Sequence, residues 1–146
     1  MKIFIDSGNI KDIESLVPLG IIDGVTTNPS LLAKEKDDPR AIIKQICRLV
    51  QGPVSAEVVA TDAAGMISEG RELAKIDEHV VVKVPFTREG LKATKALAAE
   101  GTRVNVTLVF SPAQALMAAQ AGAAYFSPFV GRLAAIATAG MGLVDA

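Results

Sequence analysis

The side chains that most often carry chemistry are nearly absent from this chain. It holds one cysteine, Cys47, and one histidine, His79, in 146 residues. A lone cysteine excludes an internal disulfide and a cysteine zinc site, and its place on an apolar helical face marks Cys47 as core. A lone histidine just ahead of a strand argues against a histidine base, a Ser-His triad and a histidine-rich metal centre. No apolar run approaches the roughly 20 residues needed to span a bilayer, and no N-terminal signal pattern is present. Charge lacks a dominant sign: the net is −1, which gives no pull toward nucleic acid or anionic membranes. After the first apolar run, Asp6-Ser7-Gly8-Asn9 lacks the G-x-G-x-x-G spacing of a nucleotide-binding fold. There is no linker or low-complexity tract, although the stretch from Leu133 to Ala139 is rich in alanine. With half of its residues hydrophobic, the chain reads as one globular domain, and a cytoplasmic location is expected.

What is present is a cadence. Strand-like runs at 1–6, 24–28, 54–59, 80–86, 104–109 and 125–129 alternate with helical patterns at 10–19, 39–50, 63–76, 87–99 and 112–121. Asn9 and Ser111 are good N-caps, Pro112 suits a first helical position and Gly122 a helix end, while the capping signal at Thr87 is weak. Strand starts lie about 21 to 30 residues apart, the size of a βα unit. Successive right-handed units close into a barrel or open into a doubly wound sheet. The polar residues decide between them, because each strand places one late in its run, as a barrel interior focused on one site requires. The fold class read here is α/β, a TIM (β/α)8-type barrel with only about six units in residues 1–146. Eight units take about 250 residues, so the domain reads as incomplete at its C-terminal side.

Within Val80-Val81-Val82-Lys83-Val84-Pro85-Phe86, a lysine interrupts a strand that reads as buried on both faces. Desolvation favours the neutral amine, the state that attacks a carbonyl to form a Schiff base. A plain alternative is a lysine that snorkels outward or pairs with a carboxylate. Side chains alternate along strands, and this bookkeeping puts Asp6 with Phe4, Thr26 with Asn28, Ser55 with Glu57, Asn105 with Thr107, and Ser127 with Tyr125 and Phe129. Val104, Val106 and Leu108 fall together on the opposite side of their strand.

These residues sit in motifs that resemble the transaldolases, in the short-chain subfamily that includes fructose-6-phosphate aldolase. The motifs are Ile5-Asp6-Ser7, Gly24-Val25-Thr26-Thr27-Asn28-Pro29-Ser30, Val81-Val82-Lys83-Val84-Pro85, Asn105-Val106-Thr107-Leu108-Val109-Phe110 and Ser127-Pro128-Phe129-Val130-Gly131-Arg132, in family order across nearly the whole chain. The resemblance implies that Lys83 forms the Schiff base with a ketose phosphate and that Asp6 is the base acting as the carbon–carbon bond breaks. It implies that Glu57 and Thr107 position and activate the water of imine formation and hydrolysis. Thr26, Asn28, Asn105, Ser127 and Phe129 match substrate-binding positions, and Arg132 matches a phosphate-binding arginine. No metal or organic cofactor is implied, because the lysine iminium is the electron sink. Sugar phosphates and a homo-oligomer are the implied partners, in the pentose phosphate pathway.

Singly, most of these residues have ordinary explanations. Asp6 is placed to cap a turn, Asn28-Pro29 is a common turn dipeptide, Thr107 and Ser127 suit any strand, and Arg132 any surface. Glu57 is different, since a carboxylate inside a strand needs a partner. Glu57 and Phe129 match the transaldolases, whereas fructose-6-phosphate aldolases typically carry glutamine and tyrosine there. That aldolase is the alternative activity; a self-associating, catalytically impaired scaffold is the alternative from another class. The family continues through a seventh and an eighth strand, and alanines at 134, 135 and 139 stand where its members usually show acidic residues.

Overall fold

The computed structural model describes residues 2–130 and Val144. Six strands, β1 (Phe4–Asp6), β2 (Gly24–Thr26), β3 (Val54–Glu57), β4 (Val80–Pro85), β5 (Val104–Val109) and β6 (Tyr125–Pro128), form one sheet. Every pair is parallel, and their order in the sheet is their order in the chain. That order decides the fold, because a doubly wound sheet reverses at a switch point and this one does not. The described residues form a half-barrel of the TIM type, six strands wide, with the helices on its outer face. Although β1 and β6 are the two edges of the sheet, the rings of Phe4 and Tyr125 meet edge to face with centroids 6.1 Å apart. The sheet is therefore curled into a trough, with inward side chains from its two margins in contact.

The helices are α1 (Ile10–Leu16), α2 (Pro29–Leu32), α3 (Pro39–Val50), α4 (Ala63–Ala74), α5 (Arg88–Ala99) and α6 (Pro112–Gln120). The caps at Asn9 and Ser111 are in place, each side chain accepting from the backbone N–H three residues on. Thr87 also caps, accepting from Gly90 N, so the weak signal there marked a real helix start. The first helix stops at Leu16 and continues as a 3-10 turn over Val17–Leu19, because Pro18 has no N–H to extend the helix. Helix α2 is an addition to the sequence reading: the Asn28-Pro29 dipeptide starts a short helix instead of ending in a turn.

The apolar faces of the strands pack on the helices in two clusters. One gathers Ile13, Val25, Ile42, Ile46 and Val54 around α1 and α3, the other Met66, Val82, Val84, Leu97 and Val106 around α4 and α5, and Leu73 packs against both. Close approach of α5 to β4 depends on Gly90, where a Cβ would collide with the carbonyl oxygen of Pro85. Parity fails at one place. Leu108 takes a left-handed backbone, φ 61°, and the β5–β6 register shifts there. Val109 therefore joins Val104 and Val106 in the helix-side core, correcting the expectation that Leu108 would. This bulge follows Thr107 directly.

Candidate active site

On the trough side, β3 and β4 are in register with Glu57 opposite Lys83. Both side chains point inward, and the amine of Lys83 lies 3.1 Å from Glu57 Oε2. The lysine is 7% exposed, so the carboxylate supplies the partner that a buried cation requires. Its other contact is the carbonyl oxygen of Thr27, which accepts from Nζ at 3.3 Å. Burial and pairing, set against each other as alternatives in the sequence, occur together.

Asp6 ends β1 opposite Thr26, whose hydroxyl donates to Asp6 Oδ1 at 2.8 Å. On the other side of Lys83, Asn105 is its register partner on β5. The Asn105 amide donates to Ser55 Oγ and its oxygen accepts from the Ser127 hydroxyl, both at 3.1 Å. A polar chain thus crosses β3, β5 and β6. Thr107 is buried, and its Oγ1 has no hydrogen-bond partner among the described residues, an open valence of the kind a water or substrate oxygen fills. Asn28 does the ordinary work its dipeptide suggested: Oδ1 accepts from Leu31 N at 2.9 Å and caps α2, which leaves its amide N–H groups for other partners. Phe129 lies just beyond β6, its ring edge to face with Phe110 at 5.7 Å. Arg132 lies outside the described residues.

Ser55 and Thr27 are site residues that the sequence does not single out. Ser55 shares the parity of Glu57, which was the available signal; Thr27 faces the helices by parity and contributes through its backbone.

Two cavities flank this cluster. The larger, about 470 Å³, lies outside the sheet between α3 and α4 and touches Glu57, with Leu32, Ile43 and Leu73 in its wall. Its other carboxylates are engaged: Glu69 accepts from Val59 N and Ala60 N, and Glu72 pairs with Lys75. The smaller, about 330 Å³, is in the trough and is lined by Thr26, Ser55, Asn105, Tyr125 and Ser127. Convergent polar groups mark the trough as the site. The lone cysteine and the lone histidine lie elsewhere. Burial, reinforced by Asp77, pushes the Cys47 thiol up to about 12, which makes it an inert core residue. His79 bonds to Asp77 at 2.8 Å immediately before β4, at the opposite end of that strand from the site.

Parallel strands in chain order, with a lysine–carboxylate pair near their C-terminal ends, define a (β/α)-barrel protein with its candidate site at the C-terminal face. The comparisons with known proteins narrow this class. The family model described as Transaldolase/Fructose-6-phosphate aldolase matches residues 3–144. A protein named probable transaldolase from Desulfosudis oleivorans is 59% identical over 145 residues, covering 99% of this chain and 68% of its own. Those so named from Kosmotoga olearia and Syntrophobacter fumaroxidans are 57% and 60% identical, with 99% of this chain and 66% and 67% of theirs covered. The chain belongs to the transaldolase/fructose-6-phosphate aldolase family, and it spans about two thirds of the length of these relatives. Among solved structures, a pyruvate carboxylase from Rhizobium etli superposes with a TM-score of 0.53 at 15% identity, over 86% of this chain and 15% of that one; it supports the fold alone. No helix among the described residues is long and apolar enough to cross a membrane.

Proposed function

We propose that the chain carries the Schiff-base machinery of a transaldolase, moving a dihydroxyacetone unit from a ketose phosphate to an aldose phosphate. The observation that carries this reading is the buried Lys83–Glu57 pair, 3.1 Å apart on adjacent inward positions. Glu57 takes a proton from the Lys83 ammonium, the freed amine adds to the ketone carbon of fructose 6-phosphate or sedoheptulose 7-phosphate, and the carbinolamine oxygen leaves as water. Glu57 and the open hydroxyl of Thr107 flank that step as proton carrier and water holder. Asp6 takes the proton of the hydroxyl beside the scissile bond, the bond's electron pair moves to the iminium, and an aldose phosphate departs. The enamine left on Lys83 attacks the aldehyde carbon of the acceptor, and hydrolysis frees the product and the amine. Thr26, held against Asp6, keeps that carboxylate oriented, while Asn28, Asn105, Ser127 and Phe129 surround the three-carbon unit and Arg132 meets phosphate as a bidentate donor. The lysine iminium is the electron sink, so the reading requires no metal or organic cofactor. A pentose phosphate role, a cytoplasmic location and self-association belong to the same proposal.

Borohydride with fructose 6-phosphate tests it. One sugar-derived mass on the peptide containing Lys83 is expected, and none in Lys83→Arg, because arginine stays protonated. Adducts confined to other lysines would defeat the assignment. Transfer to saturating erythrose 4-phosphate faster than release of free dihydroxyacetone is expected from Glu57 and Phe129. The reverse order would favour fructose-6-phosphate aldolase.

A further inference from the structure

Resting on the Schiff-base reading above, we propose that Ser55 is a positioning residue that fixes the donor and acceptor pattern offered to the substrate by Asn105 and Ser127. The oxygen and nitrogen of an asparagine amide are nearly the same size, so its neighbours decide which way it faces. Here one N–H of Asn105 goes to Ser55 Oγ and the amide oxygen takes the proton of Ser127. Ser127 has only one proton to give, so it meets the cavity as an acceptor. Asn105 keeps a second N–H as a donor, directly in register with Lys83 on the neighbouring strand.

Ser55 is itself held firmly. It is 3% exposed, and its carbonyl oxygen accepts from both Thr27 N at 3.0 Å and Thr27 Oγ1 at 2.7 Å. The same Thr27 offers its own carbonyl oxygen to the Lys83 amine, so one residue ties the polar chain to the lysine. Ser55, Asn105 and Ser127 line one cavity of about 330 Å³. A donor beside an acceptor is the complement of an α-hydroxyketone: the N–H of Asn105 meets the carbonyl oxygen, and Ser127 Oγ receives the hydroxyl proton. Without Ser55 Oγ, a buried N–H of Asn105 is left unpaired. The amide is then released to turn, and Asn105 and Ser127 no longer hold their donor and acceptor at fixed places beside Lys83.

The test is a competition in one tube. The chain is incubated with equal hydroxyacetone and acetone, the imines are reduced with borohydride, and the two Lys83 adducts, which differ by one oxygen, are counted by mass. Their ratio is compared at matched folded fraction, because Lys83 of an unfolded chain is also alkylated by either ketone under borohydride. Ser55→Ala is expected to lower the hydroxyacetone preference about tenfold, the size of one net hydrogen bond, and Ser55→Thr, which keeps the hydroxyl, to restore it. An unchanged ratio in Ser55→Ala, with both adducts reduced alike, would leave Ser55 a purely structural residue and overturn the inference. Absence of either adduct from the unaltered chain is a different result: it removes the Schiff-base reading and this inference with it.

Discussion

Asp77 shows how a single side chain outside the site contributes. The carboxylate accepts from the backbone N–H of His79 at 3.0 Å and lies 2.8 Å from its ring nitrogen. Those two bonds, the backbone one foremost, hold the Asp77 carboxyl below its ordinary value of 3.8. A carboxyl depressed by folding adds stability that is complete above the unfolded value and is lost as pH falls through the folded one. Asp77→Ala should therefore cost about 1 kcal/mol at neutral pH, and the gap to the parent should narrow below pH 3.8. Urea unfolding at neutral and acid pH measures both. A gap independent of pH would show that the lost contact is packing and not charge.

At the scale of the element, β5 combines a regular half and an irregular one. Up to Thr107 it alternates inward and outward; at Leu108 it turns left-handed, a backbone costing roughly 1–2 kcal/mol for a residue with a Cβ. Leu108→Ile keeps volume nearly constant but adds branching at Cβ, where the left-handed turn is tightest. It is expected to destabilise by about 1 kcal/mol and to slow imine trapping at Lys83, since Thr107 immediately precedes the bulge. Equilibrium unfolding with an unchanged denaturant slope, together with adduct formation rates, checks this; a variant as stable as the parent would contradict it.

That bulge also bounds what the sequence makes legible. The six strands, their inward faces and the Lys83, Glu57, Asn105 and Ser127 set follow from alternation, because a sheet buried on its helix side tolerates little slippage. Glu57 was legible for a sharper reason, as a carboxylate within a strand that demanded a partner, and Lys83 is that partner. Leu108 escapes because neither glycine nor asparagine announces the left-handed residue. Helix α2 escapes because an Asn-Pro pair reads equally as a turn and as an N-cap with a first-turn proline. The bond between Ser55 and Asn105 joins residues 50 apart, and parity supplies a shared face without specifying who bonds to whom.

For the whole molecule, the described sheet ends at β1 on one side and β6 on the other. Unpaired edges of parallel strands invite further pairing. Leu116 and Met117 on α6 and Phe126 on β6 are exposed at 64%, 54% and 47%, adding apolar area beside one of those edges. The purified protein is accordingly expected to self-associate with rising concentration. Sedimentation velocity across a wide concentration range reads this property, and a monodisperse monomer throughout would refute it.

The division of the core into two clusters has a further consequence, for cooperativity. Helices α3 and α4 flank the 470 Å³ cavity and are bridged by Arg40, which donates to the carbonyl oxygen of Glu72 at 3.0 Å, and among the described residues Leu73 packs on both clusters. Strands β3 and β4 run through both clusters, with Ala56 and Val80 in the first and Val82 and, just past β3, Val58 in the second, and carry the Lys83–Glu57 pair. Two cores that share so few side chains should open on separate schedules, as distinct foldons. Native-state hydrogen exchange is expected to give one opening free energy for amides of α1, α3 and β2 and another for those of α4, α5 and β5. Leu73→Ala should widen the interval between them. Binding of a ketose at the trough, by clamping β3 to β4 through Lys83, should draw the two values together, so that the chemistry of the site is also the hinge pin of the fold.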